Sequence, residues 1–158
     1  MKIGIDPGCS GAIVILNDDL SYVAHIPMPV MKSGTKSRVN GAAMHAFLQD
    51  HLRGTFNVAC IEQVGARPDQ GVSSMFTFGH AAGVVQGVIQ GMGLLYTMVT
   101  PQAWKKQAGL IGQDKDAARS LAIQLYPGLR ALDAIGKGQA LADAILIARF
   151  KTPRDSLL

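Results

Sequence analysis

The sequence predicts an α/β chain in which three short strands come first and two further strands then alternate with helices. Two observations carry this prediction: short apolar runs near the N-terminus are separated by turn-forming residues, and later apolar residues recur at helical spacing. The chain has 158 residues, of which 48% are hydrophobic, enough to bury a core without a disulfide or a metal ion. We therefore expect residues 1–158 to form a single domain.

The first three strands are expected at residues 3–5, 12–16 and 22–26. The segments that join them, PGCSG and then a connection containing the turn-forming NDD at residues 17–19, are short. Strands with short connections pair antiparallel, so an antiparallel meander is predicted. The next segment, KSGTKSRVNG at residues 32–41, is polar and basic and is expected to be a mobile connection.

The middle of the chain predicts one helix and the last two strands. Met44 and Leu48 lie one helical turn apart within residues 42–52, which favours a helix there. The apolar run VACIE at residues 58–62 is typical of a fully buried strand. The run LLYTMV at residues 94–99 is the fifth predicted strand.

A long helix is expected to begin near Ser73 or Ser74, since either residue can serve as its N-cap. Glycine recurs along this helix at every fourth position: Gly79, Gly83, Gly87 and Gly91. Each glycine inside a helix costs about 0.5–1 kcal/mol relative to alanine, so the repeat indicates that another backbone packs closely against it. That neighbour is expected to be either the sheet or a second subunit.

Three helices are predicted in the last third of the chain. In the segment TPQAWKKQAG, Thr100 can cap a short helix that Pro101 opens. The segment DKDAARSLAIQLY predicts a second helix, with Lys115 near its start. The segment ALADAILIARF predicts the last helix, which carries Asp143 as a single acid in apolar surroundings.

Charge and cysteine content favour a cytoplasmic protein. Fifteen Lys and Arg residues against eleven acids give a net charge of +4, which suits a polyanionic partner without requiring one. The two cysteines, Cys9 and Cys60, indicate a reducing compartment, and no secretion signal is expected, because a strand pattern without an apolar h-region starts at residue 2. The uncharged stretch between Asp69 and Lys105 is long enough to cross a membrane, but its glutamines and glycines disfavour insertion, so no membrane partner is expected.

Three lone acids stand out, because each ends or interrupts an apolar element: Asp6, Glu62 and Asp143. Two carboxylates about 4 Å apart repel by roughly 4 kcal/mol at an effective dielectric of 20, so a cluster of three needs compensating charge. None has Lys or Arg beside it in sequence, which favours a divalent cation, and an all-oxygen site favours Mg²⁺ or Mn²⁺. The alternative is that they are unrelated surface or capping residues, since Asp before Pro-Gly is also a good turn former.

A carboxylate cluster that binds two such ions is suited to phosphodiester hydrolysis. One ion activates the attacking water and the other stabilises the leaving oxygen during in-line displacement. The basic balance of the chain is compatible with a nucleic acid substrate. The spacing of the acids therefore raises the hypothesis of a two-metal nuclease.

The motifs, taken in order, resemble a known family. The segments IGIDPGCSGAI, CIEQV, FGHAAGVV, VTPQAWKKQAG, DKDAA and LADAILIA are similar to those of RuvC-type Holliday junction resolvases, particularly short phage-encoded members. The similarity extends over nearly the whole chain. It implies an RNase H-like fold, with a five-stranded mixed sheet of three antiparallel strands and then two parallel ones, flanked by helices.

The resemblance also implies an activity and an assembly. Such proteins are Mg²⁺-dependent endodeoxyribonucleases that resolve four-way or branched DNA junctions as homodimers, without a nucleotide cofactor. By match of motif, Asp6, Glu62 and Asp143 would be the catalytic metal ligands. DNA contacts would come from Arg38, Arg67, Lys105, Lys106 and Lys115, the last of which is also expected to be catalytic. A phage-encoded member would act in the cytoplasm of its bacterial host.

One position departs from the family pattern. The family carries a further acid or histidine three or four residues before the last acid, where this chain has Ala140 and Gln139. Either three acids suffice, or Asp133 or a water molecule substitutes, or the sequence is an engineered inactive variant. The last alternative predicts a dimer that binds branched DNA without cutting it.

Other residues near these motifs are expected to be structural. Phe76 and Phe78 are expected to pack in the core or the dimer interface, although an aromatic face can also stack on a DNA base. Trp104, the only tryptophan, is assigned to the core. A third hypothesis, an ATPase-like relative on the same sheet, predicts nucleotide binding at the PGCSG loop.

Overall fold

The computed structural model describes residues 1–54, 56–63, 65 and 71–151. Its strands, in chain order, are β1 (Lys2–Ile5), β2 (Ala12–Leu16), β3 (Tyr22–Pro27), β4 (Val30–Ser33), β5 (Lys36–Val39), β6 (Val58–Glu62) and β7 (Leu95–Val99). Its helices are α1 (Gly41–His51), α2 (Val72–Gly91), α3 (Pro101–Gln107), α4 (Ala117–Leu125) and α5 (Lys137–Ala148), with a 3₁₀ helix at Arg130–Asp133. The predicted alternation of strands and helices is confirmed.

Within the described residues, the main sheet has five strands in the order β3-β2-β1-β6-β7. β2 pairs antiparallel with β1 and β3, whereas β6 pairs parallel with β1 and with β7. The mixed sheet that the sequence resemblance implies is therefore confirmed. Ile5 lies opposite Ile61 in the central parallel pair, so the next residues, Asp6 and Glu62, lie at the same end of the sheet.

Helices cover both faces of this sheet, because successive strand residues point to opposite sides. On one face, Ile5 belongs to the same buried cluster as Met44 of α1 and Val85 of α2. On the other face, Val14 of β2 belongs to a cluster with Ile145 of α5. Because α5 also contacts β1 and β6, it crosses the strands that carry the first two acids.

Gly4 allows α5 to lie directly on β1. A methyl group at this position would come within 2.0 Å of the Ala144 carbonyl oxygen and 2.5 Å of the Ala148 nitrogen. Both are backbone atoms, which cannot move aside as the end of a flexible side chain can. The close approach holds the helix that carries Asp143 against the strand that leads to Asp6.

Residues 32–41 do not form the predicted mobile connection. β4 and β5 pair there as an antiparallel hairpin in which Val30 lies opposite Val39. Gly34 takes a φ of 63° in the turn, a conformation that costs glycine little. The prediction is wrong because a polar and basic composition is equally compatible with an exposed hairpin.

The start of α2 and its glycine ridge also differ from expectation. α2 begins at Val72 with Gly71 as its N-cap and no side-chain cap hydrogen bond, so the predicted serine cap is wrong. A methyl group added at a ridge glycine would meet no atom of the described residues within 4 Å; the ridge comprises Gly79, Gly83, Gly87 and Gly91. The sheet is therefore not the neighbour that the ridge approaches.

Among the described residues, α2 alone has the length and composition of a helix that could cross a membrane. One such helix is weak support for a membrane protein, since core helices of soluble proteins pass the same test. One side of α2 buries Ala81, Val85 and Ile89 in the protein. The opposite side, which carries the ridge, remains exposed.

Candidate active site

Three elements carry the three acids to one region of the molecule. Asp6 follows β1, Glu62 is the last residue of β6, and Asp143 lies near the middle of α5. The carboxylates interact electrostatically: Glu62 acts on both Asp6 and Asp143, and Asp143 acts on Asp6. Residues separated by more than fifty positions in the sequence are thus neighbours in the fold.

Asp6 is held in place by the loop that follows it. The Gly8 backbone N–H donates a hydrogen bond to Asp6 Oδ1 at 3.3 Å. A methyl group at Gly11 would lie 2.8 Å from Asp6 Cγ, so the loop folds back tightly over the carboxyl group. Burial and the nearby Glu62 charge raise the pKa of Asp6 to about 7, although the Gly8 hydrogen bond opposes the shift.

The negative charge of Asp143 is only partly compensated by the groups around it. Burial and the Glu62 charge raise its pKa to about 6, whereas a hydrogen bond from Gln139 and the positive charge of Lys105 oppose this increase. Gln139 Nε2 donates to Asp143 Oδ1 at 3.0 Å across one turn of α5. The Gln139 Oε1 atom is buried and has no hydrogen-bond partner among the described residues.

Glu62 has a specific donor of its own. Trp104 Nε1 donates a hydrogen bond to Glu62 Oε1 at 2.8 Å. Trp104 is 1% exposed, so the prediction that it lies in the core is confirmed, and the hydrogen bond adds a polar role. Lys105 Nζ lies 5.3 Å from the centroid of the Trp104 ring, within the range of a cation–π interaction.

The donor set suits a hard divalent cation, because all three acids offer carboxylate oxygens. Burial and the nearby Glu62 charge raise the pKa values of Asp6 and Asp143, so their ionised forms lack compensating positive charge, and the buried oxygen of Gln139 lacks a partner among the described residues. The acids are not gathered into a closed site, however. Within residues 1–54, 56–63, 65 and 71–151, no group of three His, Cys, Asp or Glu side chains is placed to hold a metal ion.

The described basic residues that are predicted to contact DNA lie on or beside several elements. Lys105 and Lys106 lie in the last turn of α3, and Lys105 is close enough to Asp143 to lower its pKa. Lys115 is exposed just before α4, and Arg38 is half-buried on β5. Arg67 lies outside the described residues.

A cleft of about 540 Å³ adjoins the Asp6 loop. It lies between the β4–β5 hairpin and the start of α2, and its lining residues are Cys9, Lys36, Ser37, Ser73, Ser74, Thr77 and Phe78. Lys36 Nζ donates a hydrogen bond to Ser73 Oγ at 3.0 Å, which ties the hairpin to the helix. Sequence reasoning missed this cleft because residues 32–41 were expected to be mobile.

Two of the missed contacts left a signal in the sequence. Gln139 lies four residues before Asp143, the spacing at which helical side chains meet. A buried tryptophan needs an acceptor for its N–H group, so a core Trp104 implies some polar partner. The sequence does not indicate which acceptor that is, since Glu62 lies 42 residues away.

The raised acid pKa values predict that the metal-free protein loses stability as the pH rises. The ordinary pKa of Asp6 is 3.8, and its folded value is about 7, so between these values the folded state holds a proton that the unfolded chain has lost. A shift of this size corresponds to about 4 kcal/mol. We expect the melting temperature in EDTA to fall by roughly 10 °C between pH 4 and pH 7.5 through this group alone.

Asp6→Asn provides the control for this measurement, because asparagine does not titrate. The variant should lose most of the pH-dependent difference, and Mg²⁺ should restore stability to the wild type at the higher pH. Parallel pH profiles for wild type and variant would contradict the assignment.

Comparisons with known proteins identify the fold that carries these residues. No protein-family profile and no curated protein sequence matches the chain. Several solved structures do, among them T. thermophilus RuvC in complex with a Holliday junction substrate, with a TM-score of 0.55, and a second Thermus thermophilus RuvC structure, with a TM-score of 0.51. Both are 17% identical to this chain; the first match covers 92% of it and 89% of the RuvC chain, and the second 91% and 90%. The chain therefore has the RNase H-like α/β fold of RuvC, as the sequence resemblance implies.

Proposed function

We propose that this protein is a structure-selective DNA endonuclease that resolves four-way or branched junctions. The observation that carries the proposal is the convergence of Asp6, Glu62 and Asp143 at one end of a RuvC-like sheet. Buried acids with strongly raised pKa values, such as Asp6 and Asp143, are common at functional sites, where burial and neighbouring like charges adjust the pKa to the chemistry. The T. thermophilus relative bound to a Holliday junction supports the substrate class.

In this proposal, residues 1–158 act as a single nuclease domain. Asp6, Glu62 and Asp143 hold two Mg²⁺ ions, for which Mn²⁺ can substitute. When bound, two such ions promote in-line attack of water on a phosphodiester and stabilise the leaving oxygen. Lys115 steadies the negative charge that develops on the phosphate.

DNA binding is assigned to five basic residues: Arg38, Arg67, Lys105, Lys106 and Lys115. The cleft that adjoins the Asp6 loop supports DNA binding, because Lys36 and four hydroxyl side chains line a space large enough for a sugar–phosphate unit. Contacts of this kind hold the sugar–phosphate backbone of DNA and do not read its base sequence. They are largely electrostatic, so DNA binding should weaken steeply as the salt concentration rises.

We propose no nucleotide cofactor. Saturable binding of a nucleoside triphosphate at the PGCSG loop would favour an ATPase-like relative instead.

The proposed active form is a cytoplasmic homodimer, in the host bacterium if the protein is phage-encoded. The glycine ridge of α2 supports a second copy as its neighbour, because no described residue of the same chain covers it. Val72 and Phe76 extend the exposed face of α2 towards its N-terminus and are 80% and 67% exposed. Large apolar side chains beside a smooth ridge favour contact with another protein surface.

A second candidate function is branched-DNA binding without turnover. It is favoured by the neutral Gln139 and Ala140, which stand where the family carries a further ligand, and by the absence of a closed metal-binding group among the described residues. Three carboxylates carry three negative charges, whereas two divalent cations carry four positive charges. If the second ion is held weakly, the protein would still bind branched DNA but would cleave it slowly.

Ala140→Asp separates the two functions. A carboxylate one turn before Asp143 adds a fourth charge to the site, so metal affinity and cleavage of a synthetic four-way junction in Mg²⁺ should both increase, by about tenfold or more. Cleavage that appears only in the variant favours the binding protein, and cleavage by both favours the nuclease. Failure of the wild type to bind the junction at low salt would contradict both functions.

A further inference from the structure

The hydrogen bond between Trp104 and Glu62 joins a core side chain to a candidate metal ligand. Trp104 lies in α3, a helix that Thr100 caps through a hydrogen bond to the Ala103 backbone N–H. The indole ring packs in a buried cluster with Val99, Leu146 and Ile147. The ring is therefore fixed in the core while its N–H group reaches Glu62 Oε1 at 2.8 Å.

Packing alone does not explain a carboxylate acceptor. A buried indole N–H needs one hydrogen-bond partner, and an uncharged backbone carbonyl would satisfy it. A carboxylate makes the bond charge-assisted and stronger, and it removes rotational freedom from the glutamate side chain. The main effect of this hydrogen bond is thus to fix the orientation of the Glu62 side chain.

The next residue along α3 faces another acid of the same site. Lys105 lies over the Trp104 ring and interacts electrostatically with Asp143. Consecutive residues of one short helix therefore act on two acids that come from β6 and α5. This arrangement makes α3 a support for the site as well as a packing element.

We propose that Trp104 is a positioning residue, whose indole N–H fixes the Glu62 carboxylate so that its other oxygen is presented to a divalent cation. The inference rests on the proposed function only for the identity of the ligand. The contact itself can be tested without cations or DNA.

The first experiment tests the contact. Because the chain has one tryptophan, its indole N–H gives a single assignable signal in a ¹H–¹⁵N correlation spectrum. Glu62→Ala should shift this signal upfield, whereas Asp19→Asn, which alters an exposed acid in the turn between β2 and β3, should leave it in place. An indole signal that is identical in wild type and Glu62→Ala would overturn the proposal.

The second experiment tests the function of the contact. Calorimetric titration with Mn²⁺ should show an affinity about 10–100-fold weaker in Trp104→Phe than in the wild type, as is usual when a group that orients a metal ligand is removed. Leu121→Ala, in a residue packed against the same cluster, controls for general loss of stability and should retain the wild-type affinity. Equal affinities in Trp104→Phe and the wild type would overturn the proposal.

A measurement on the wild type covers the case in which Trp104→Phe fails to fold. Cation binding should change the tryptophan emission, because the acceptor of the indole hydrogen bond becomes a metal ligand. Calorimetric heat without any change in emission would overturn the positioning role while leaving the nuclease proposal in place. A wild type that binds no Mn²⁺ overturns both, and this outcome is recognised by the absence of calorimetric heat.

Discussion

Asp6→Asn is expected to reduce cleavage of a four-way junction by at least about a thousandfold. Asparagine keeps the size of the side chain and a carbonyl oxygen that can accept the Gly8 hydrogen bond, but it removes the charge that would compensate a divalent cation in the proposed site. Loss of about 4 kcal/mol of transition-state stabilisation corresponds to this factor, and metal ions contribute several kcal/mol in such reactions. The measurement is single-turnover cleavage of a synthetic junction in Mg²⁺.

Asp19→Asn is the matched control for this variant. Asp19 is an exposed acid in the turn between β2 and β3, where it accepts hydrogen bonds from Ser21. The same chemical change there should leave cleavage within about twofold of the wild type, because surface substitutions of this kind have small effects. Equal cleavage by Asp6→Asn and the wild type would remove Asp6 from the chemistry, even if junction binding persisted.

Gly4→Ala is expected to destabilise the fold by about 3 kcal/mol or more, and thereby to move Asp143 away from the other acids of the candidate site. The added methyl group would overlap the backbone of α5 at Ala144 and Ala148, and overpacking a rigid contact typically costs 1–3 kcal/mol or more. For a chain of this length, that loss corresponds to a decrease of roughly 6–12 °C in the melting temperature. Thermal unfolding monitored by circular dichroism measures it.

Gly128→Ala is the control, because a methyl group there meets no atom of the described residues within 4 Å. Its stability should remain within about 0.5 kcal/mol of the wild type. A second readout follows from the geometry: cation affinity should decrease in Gly4→Ala even at temperatures where the variant is folded, since α5 carries Asp143. Wild-type stability in Gly4→Ala would show that α5 does not lie on β1 as described.

The sheet was predictable because its signals are local. Alternating apolar residues and turn-forming segments locate β1, β2 and β3, and the buried run that ends at Glu62 locates β6. The parallel pairing of β1 with β6 was implied only by the family resemblance. The hairpin of β4 and β5 was missed because its polar side chains resemble those of a loop, and only Gly34 hints at a turn.

The acids of the candidate site could be predicted from the sequence, but the contacts that support them could not. Asp6, Glu62 and Asp143 could be identified because a charge within an apolar element is unusual. The hydrogen bond from Trp104 to Glu62 and the close approach at Gly4 depend on the relative positions of distant elements. Nothing in the local sequence distinguishes Gly4 from any other glycine in a strand.

The origin of the acids also affects how the protein is made. During synthesis the N-terminal residues emerge from the ribosome first, so the segments carrying Asp6 and Glu62 are available long before Asp143. Asp6 and Glu62 are then present without α5, the helix that carries the third acid. If the protein is the proposed nuclease, its ability to bind cations and to cut DNA would therefore arise only after most of the chain has been translated and α5 has docked.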